Sequence, residues 1–127
     1  TAQGLPFYGG AVTYHIDVQG TGNPLRVSLT KFRSPAIAVD LDGERQGLIA
    51  ISPYSAVTKP AAPGPHRLDL TVYGNRYNTF GAVHNSDEEK DVYCSPNFWR
   101  STGDTWAYEY QLRRTGPLAA PIVEALS

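Results

Sequence analysis

The chain has 127 residues, of which 41% are hydrophobic and 18% are charged, and its formal net charge is −1 at pH 7. This length and composition predict one globular domain with an ordinary hydrophobic core and exclude a disordered chain. A nucleic-acid partner would require clustered Lys and Arg, which this charge balance does not indicate. No apolar run approaches the roughly 20 residues that span a bilayer, so we expect a soluble protein without a membrane partner.

Alternation of apolar and polar residues recurs in short segments along the chain, and Gly and Pro separate these segments. Such alternation is typical of half-buried β-strands, because successive side chains of a strand point to opposite faces. It predicts strands over Gly10–Val18, Leu25–Leu29, Arg67–Tyr73 and Thr105–Leu112, and the Asp42-Gly43 pair adds two strands that flank it, over Ala36–Leu41 and Gln46–Ile51, which makes these the third and fourth strands in chain order. Asp42-Gly43 predicts a hairpin between the third and fourth of these strands, because Gly tolerates the positive φ of a tight turn.

The remaining segments have the composition of turns and loops. Gly20–Pro24 predicts a turn, and Lys59–Pro65 predicts a long connection that crosses to a second sheet. Asp87–Asp91 is an acidic loop, and we allow at most a short helix over Ala119–Ser127 because prolines interrupt it. The number of strands and the turn chemistry predict a single all-β domain, an antiparallel β-sandwich of the jelly-roll type.

The single cysteine, Cys94, excludes an intrachain disulfide framework. We interpret it as a small packed or loop side chain, because no motif links it to a base that would activate a nucleophile. The chain also contains no Met, not even at position 1. This absence predicts a processed chain or a fragment of a longer polypeptide.

The order of several motifs resembles that of a known family. LPFYGG precedes the first strand, AVDLDGERQG contains the hairpin, and Pro53-Tyr54 forms a corner. HRLDLTVYGNRYNTFGAVHN follows, and a Trp-x-Tyr-x-Tyr-x-Leu segment closes on Gly116-Pro117-Leu118. This order resembles the galactose-binding-like jelly-roll domain at the C-terminal end of bacterial multidomain glycoside hydrolases of the β-galactosidase and rhamnosidase type. The recognisable motif of that family falls here on Gly74, Asn75, Asn78, Phe80, Gly81 and His84.

The resemblance implies a non-catalytic accessory domain that packs on a catalytic domain elsewhere in the same polypeptide. Some members of this fold bind carbohydrate, whereas many terminal copies are structural. An autonomous carbohydrate-binding module is therefore the alternative hypothesis. The parent enzyme would lie in the bacterial cytoplasm or be secreted.

Aromatic and amide side chains are the candidates for a carbohydrate-binding or interdomain site. Sugar rings stack on aromatic faces, and sugar hydroxyls pair with amide and guanidinium groups. The candidate residues are Asn75, Arg76, Asn78, His84, Asn85 and Trp99. The alternative for the asparagines is a local backbone role in turns, and for Arg76 it is an internal salt bridge. Burial against a neighbouring domain predicts an exposed aromatic patch, for which the candidates are Phe7, Tyr8, Phe98 and Trp99.

Catalysis and metal binding have weaker support in the sequence. Glycoside hydrolysis needs two carboxyls that face a cleft, one of them with a raised pKa. Asp40, Asp42 and Glu44 crowd a hairpin tip, where we expect water to keep carboxyl pKa values ordinary, and Glu109 is interpreted as outward-facing or ion-paired. Asp87–Asp91 lacks the ligand spacing of a calcium loop, so we predict no cofactor, with structural Ca²⁺ there as the alternative.

Overall fold

A computed structural model of the chain describes residues 4–86 and 101–127. Backbone contacts divide the chain into two compact units. The sandwich unit consists of Gly10–Gly74 and Thr115–Ser127, and the loop unit contains the described residues 4–9, 75–86 and 101–114. That the whole chain forms one domain stays a prediction.

Nine strands form in the sandwich unit, and they account for its regular structure. In chain order they are β1 (Ala11–Gly20), β2 (Pro24–Ser28), β3 (Phe32–Arg33), β4 (Ile37–Leu41), β5 (Glu44–Ile49), β6 (Ser55–Pro60), β7 (Gly64–Tyr73), β8 (Gly116–Pro117) and β9 (Ile122–Ala125). The first sheet has the order β1-β7-β4-β5, the second has the order β6-β2-β9, and β3 pairs with β8 in a third. All of these pairings are antiparallel.

The core of the sandwich unit lies between the four-stranded and the three-stranded sheets. Leu25 and Val27 of β2 share one hydrophobic cluster with Val39 of β4 and with Leu68 and Leu70 of β7. All five side chains are essentially inaccessible to water, and burying each of them contributes about 1.5–3 kcal/mol of hydrophobic free energy. The structure therefore confirms the predicted antiparallel β-sandwich, whereas the jelly-roll arrangement stays a prediction.

The predicted hairpin is present between β4 and β5. Asp42 and Gly43 have φ values of +52° and +82°, the left-handed geometry that a two-residue hairpin turn requires. The main chain of Asp42 also donates to the carbonyl of Arg67 at 2.8 Å. This hydrogen bond joins the tip of the β4–β5 hairpin to β7, the strand that lies next to β4 in the sheet.

Three sequence predictions need correction. Thr105–Leu112 is not a strand: it contains a single bridge, between Trp106 and Asn85, because its amides pair at irregular spacing with the carbonyls of residues 83 and 84. The C-terminal segment is not a helix but contains β9, which pairs with β2. The long connection predicted over Lys59–Pro65 is short, because β6 extends to Pro60 and β7 begins at Gly64.

The loop unit contains one short helix, α1 (Tyr77–Phe80), which the sequence analysis interpreted as loop. Gly81 follows α1, and its amide donates to the carbonyl of Tyr77 at 2.7 Å. The rest of the described loop unit is held by backbone hydrogen bonds between residues 82–86 and residues 103–111. Within residues 4–86 and 101–127, no helix is long and apolar enough to cross a membrane.

A close approach of two backbones at Gly20 yields a stability prediction. A Cβ at Gly20 would overlap the carbonyl oxygen of Ala62 and lie 2.8 Å from Cδ2 of His66. We expect Gly20→Ala to lower the free energy of unfolding by about 1–3 kcal/mol, because strand ends must shift to make room. Urea unfolding monitored by circular dichroism measures this change. Gln19→Ala, at the neighbouring exposed position, should change stability by less than about 0.5 kcal/mol.

Candidate functional site

Five of the six candidate residues lie together in the loop unit. Asn75, Arg76 and Asn78 are at the start of α1 or within it, and His84 and Asn85 follow it. The sixth, Trp99, lies outside the described residues, as do Cys94, Phe98 and the acidic loop Asp87–Asp91. The binding role of all six stays a prediction.

The two asparagines at α1 have their side chains engaged with the backbone. Oδ1 of Asn75 accepts from the amide of Tyr77 at 3.0 Å, a typical turn of an Asx residue at the beginning of a helix. Asn78 is 5% exposed, and its amide group makes two hydrogen bonds with Arg113. Its Nδ2 donates to the Arg113 carbonyl at 2.8 Å, and its Oδ1 accepts from the Arg113 amide at 2.9 Å. The side-chain amide of Asn78 thus makes the pair of hydrogen bonds with Arg113 that the main chain of a neighbouring strand would make.

His84 lies in the middle of an aromatic row. Its ring stacks on Trp106, with centroids 6.0 Å apart and an interplanar angle of 25°, and contacts Tyr110 at 4.8 Å. Nδ1 lies 2.9 Å from the carbonyl oxygen of Ala107. Because a carbonyl oxygen only accepts, Nδ1 carries a proton, and in the neutral ring Nε2 keeps its lone pair.

The row continues at both ends onto exposed rings. Phe7 packs edge-on against Tyr110 at 5.0 Å, and Tyr108 packs edge-on against Trp106 at 6.4 Å. Tyr108 is 80% exposed, Tyr110 is 57% exposed and Phe7 is 42% exposed. We call Phe7, His84, Trp106, Tyr108 and Tyr110 the aromatic surface. Trp106, which a strand over Thr105–Leu112 with a buried face would place in the core, is half-buried within it.

The predicted exposed patch is partly present. Phe7 and Tyr8 are both exposed in the described loop unit, as the sequence analysis expected. Arg76 is exposed as well, and its guanidinium lies 5.9 Å from the centre of the Phe80 ring. Among the described residues Arg76 forms no ion pair, so the internal salt bridge proposed for it is not formed there. The sequence signal for the aromatic surface is the Trp-x-Tyr-x-Tyr motif. Its alternation predicts a strand, so the motif alone does not indicate an exposed surface.

The aromatic surface can accept either an apolar protein surface or the C–H face of a sugar. A sugar site would in addition need polar groups at the rim to pair with hydroxyls. The side-chain amide of Asn78 is paired with the backbone through both of its polar atoms, and Oδ1 of Asn75 is paired as well, which leaves fewer side-chain groups for that task. This arrangement favours apolar packing over sugar binding in the described part of the loop unit.

Four of the six acidic residues of the sandwich unit pair with basic side chains. Asp69 is buried on the outer side of the first sheet, where its Oδ1 lies 2.7 Å from Nδ1 of His15 and 3.2 Å from Nε of Arg67. Asp40 pairs with Arg45, and Glu44 pairs with Lys59. Glu109 of the loop unit is exposed, as expected. Within the described ranges, no group of three or more His, Cys, Asp or Glu side chains could hold a metal ion.

Asp42 departs from the expectation that water keeps the hairpin carboxylates ordinary. Its Oδ2 lies 2.6 Å from Nδ1 of His66, and its Oδ1 accepts from the Arg67 amide at 2.9 Å. The bond from His66, and then the amide of Arg67, lower the pKa of Asp42 below its ordinary value. A glycosidase acid needs a raised pKa, so Asp42 is unsuited to that role.

No family model matches the chain, and no curated protein matches its sequence. Among solved structures, the chain is similar to a rhamnosidase from Novosphingobium sp. PP1Y, with a TM-score of 0.59 and 18% sequence identity. The similarity covers 92% of this chain and 11% of the rhamnosidase chain. This chain therefore spans about a ninth of the length of the rhamnosidase, and at this identity the similarity shows the fold alone.

The backbone role of Asn78 predicts a cost in stability. Asn78→Ala removes the two hydrogen bonds that the Asn78 side chain makes with the main chain of Arg113, and we expect it to lower the free energy of unfolding by about 1–3 kcal/mol. Arg76→Ala is the matched control at a neighbouring exposed position, with an expected effect below about 0.5 kcal/mol. Amide hydrogen exchange at Arg113 measures the loss locally. Equal exchange in both variants would contradict the structural role of Asn78.

The contact between His66 and Asp42 predicts a dependence of stability on pH. Both ring nitrogens of His66 face acceptors, the Asp42 carboxylate and the Ala62 carbonyl, so the doubly protonated ring is favoured and the pKa of His66 is raised above 6.5. A raised pKa stabilises the fold below pH 6.5, and this contribution is lost as pH rises through the folded value. The lowered pKa of Asp42 stabilises the fold above pH 3.8 and is lost as pH falls through the folded value.

The contact should therefore contribute most between pH 3.8 and 6.5. We expect wild type to be more stable than His66→Gln in this window, with a difference that shrinks toward alkaline pH. Denaturant unfolding of both proteins over a pH series measures the difference. A difference that does not change with pH would show that the imidazolium of His66 contributes nothing.

Proposed function

We propose that this chain is a non-catalytic accessory domain of a bacterial glycoside hydrolase, of the galactose-binding-like jelly-roll type, that packs against the catalytic domain of the same polypeptide. The observation that carries the proposal is the match in fold to a small part of a rhamnosidase, over nearly all of this chain. A domain that occupies a ninth of a large enzyme leaves ample chain for a separate catalytic region.

The charges of the described residues support a non-catalytic role. Asp40, Glu44 and Asp69 each pair with a cation, and Asp42 has a lowered pKa. Paired carboxylates of this kind hold strands together and do not donate protons to a leaving group.

The aromatic surface supports packing against a neighbour. Its three outer rings, Phe7, Tyr108 and Tyr110, expose a large part of their apolar area to water. Contiguous exposed aromatic rings mark interaction sites, and Tyr and Trp are enriched there because the ring is apolar and its polar atom can stay hydrated. The catalytic domain of the same polypeptide is the partner we propose for this surface.

An autonomous carbohydrate-binding module is the second candidate. It is favoured by Tyr108 and Tyr110, whose exposed rings offer stacking faces for sugars. Titration of the chain with neutral oligosaccharides, followed by Trp fluorescence, tests this alternative. A saturable change that is lost in Tyr110→Ala would favour the module over the packing role.

The genetic context gives the first test of the accessory role. Sequencing the gene on both sides of the coding region should reveal one reading frame that continues into a region with a pair of catalytic carboxyls. The 127-residue chain alone should not hydrolyse aryl glycosides, because Asp40, Glu44 and Asp69 are ion-paired and the pKa of Asp42 is lowered. A reading frame that encodes this chain alone, or hydrolysis by the pure chain, would overturn the proposal.

Surface labelling gives a test of the packing role. Hydroxyl radicals should oxidise Tyr108 and Tyr110 several-fold more slowly in the complete polypeptide than in the 127-residue chain, because the neighbouring domain covers them. Tyr73, an exposed residue of the sandwich unit, is the internal control and should be oxidised at the same rate in both. Equal rates for all three tyrosines would exclude the aromatic surface as the interface.

A further inference from the structure

The sandwich unit contains an open cleft beside β3 that the proposed function does not use. The cleft has a volume of about 380 Å³, within the range of small-molecule sites. Its lining includes Thr30, Lys31, Phe32, Arg33, Ser34 and Tyr54. These residues come from β3, the residues on both sides of it and the corner that precedes β6.

Every charged side chain that lines the cleft is positive. Lys31 and Arg33 are both exposed, and neither forms an ion pair with a carboxylate in the described part of the chain. This contrasts with Arg45, Lys59 and Arg67 of the same unit, each of which pairs with an acid. Two neighbouring cations without a counter-ion would attract an anionic ligand into the cleft.

An aromatic ring forms one wall of the cleft. Tyr54 is 42% exposed and packs edge-on against Phe32, with centroids 5.3 Å apart. Phe32 in turn packs on the hydrophobic core, so the Tyr54 ring is supported from behind. A half-exposed ring on a fixed support is a stacking face for a flat, partly apolar ligand such as a sugar ring.

The backbone around the cleft is held in place by hydrogen bonds. The carbonyl of Lys31 accepts from the amides of Leu118 and Ala119, and β3 pairs with β8. Tyr54 has a φ of +51°, an uncommon value for a residue with a side chain, and its carbonyl accepts from the amide of Leu29 at 3.1 Å. A strained backbone conformation persists only where the surrounding structure holds it, and such conformations are found preferentially at ligand sites.

We propose that this cleft binds a sugar that carries a carboxylate, such as a uronic acid residue of an acidic polysaccharide. Arg33 and Lys31 would pair with the carboxylate, Tyr54 would stack on the ring, and the hydroxyl of Thr30 would bind a sugar hydroxyl. The choice of a sugar as the carrier of the charge rests on the proposed function, whereas the preference for an anion rests on the cleft alone.

The test is titration of the 127-residue chain with a galacturonic acid trisaccharide. Isothermal titration calorimetry measures the affinity, and amide chemical shifts of Thr30–Ser34 locate the site. The same trisaccharide with its carboxyl groups methyl-esterified is the neutral control. We expect saturable binding of the acid, little or no binding of the ester, and weaker binding as NaCl is raised from about 0.05 M to about 0.5 M.

Two variants separate the cleft from general surface charge. Lys31→Gln/Arg33→Gln should weaken binding of the acid by about tenfold or more, because charge-assisted hydrogen bonds are lost. Arg26→Gln removes an exposed cation of β2 outside the cleft and should leave the affinity unchanged. Circular dichroism and unfolding midpoints of both variants verify that the fold is retained.

Equal affinity for the acid and the ester, or no binding of the acid, would overturn the proposal. Binding of acetate or inorganic phosphate with the same affinity would also overturn it, because the sugar ring would then contribute nothing. Changes in amide chemical shift that are confined to the loop unit would place the binding site on the aromatic surface and would also contradict the proposal. The accessory role is tested separately, by the reading frame and by tyrosine labelling, so either proposal can fail without the other.

Discussion

The burial of one apolar face of β7 and β4 against β2 is the constraint on which the sandwich unit depends. Leu70, Val39 and Val27 are excluded from water only in one register, and a slip by a single residue would turn each strand's apolar side chains outward. Since the register is fixed in this way, the strand ends are fixed too. The tip of the β4–β5 hairpin then meets the beginning of β7, and Asp42 and His66 form their contact there.

The sequence predicts the strands that carry a local signal of this core. It does not predict the strands that depend on pairing with residues far away in the chain. β1, β2 and β7 are predictable because apolar residues recur at every second position, and β4 and β5 because they flank the Asp42-Gly43 turn. β6 is not predicted because small residues, Thr and Pro replace the large apolar ones, and β9 because four residues are too few to show a period; each pairs with β2. The alternation of Trp106, Tyr108 and Tyr110 has the opposite effect: it predicts a strand where none forms, because Tyr108 and Tyr110 are exposed and Trp106 is half-buried among them.

The candidate site shows a similar limit. Sequence reasoning placed asparagines, Arg76 and His84 in one polar-aromatic segment, and the structure brings them together in the loop unit. It could not tell that Asn78 pairs with the backbone of Arg113, 35 residues away, because nothing local distinguishes an amide that binds a ligand from one that pairs with a distant main chain. The cleft of Lys31, Arg33 and Tyr54 was missed since its parts come from separate segments and form no motif.

The two surfaces differ in the physical chemistry they offer, and this difference argues for different partners. The aromatic surface of the loop unit presents exposed apolar rings, so it gains most when another apolar surface excludes water from it. The cleft of the sandwich unit presents two cations without counter-ions, and a dry protein interface there would pay the desolvation of both. A hydrated, negatively charged ligand avoids that penalty because the cations stay in contact with water.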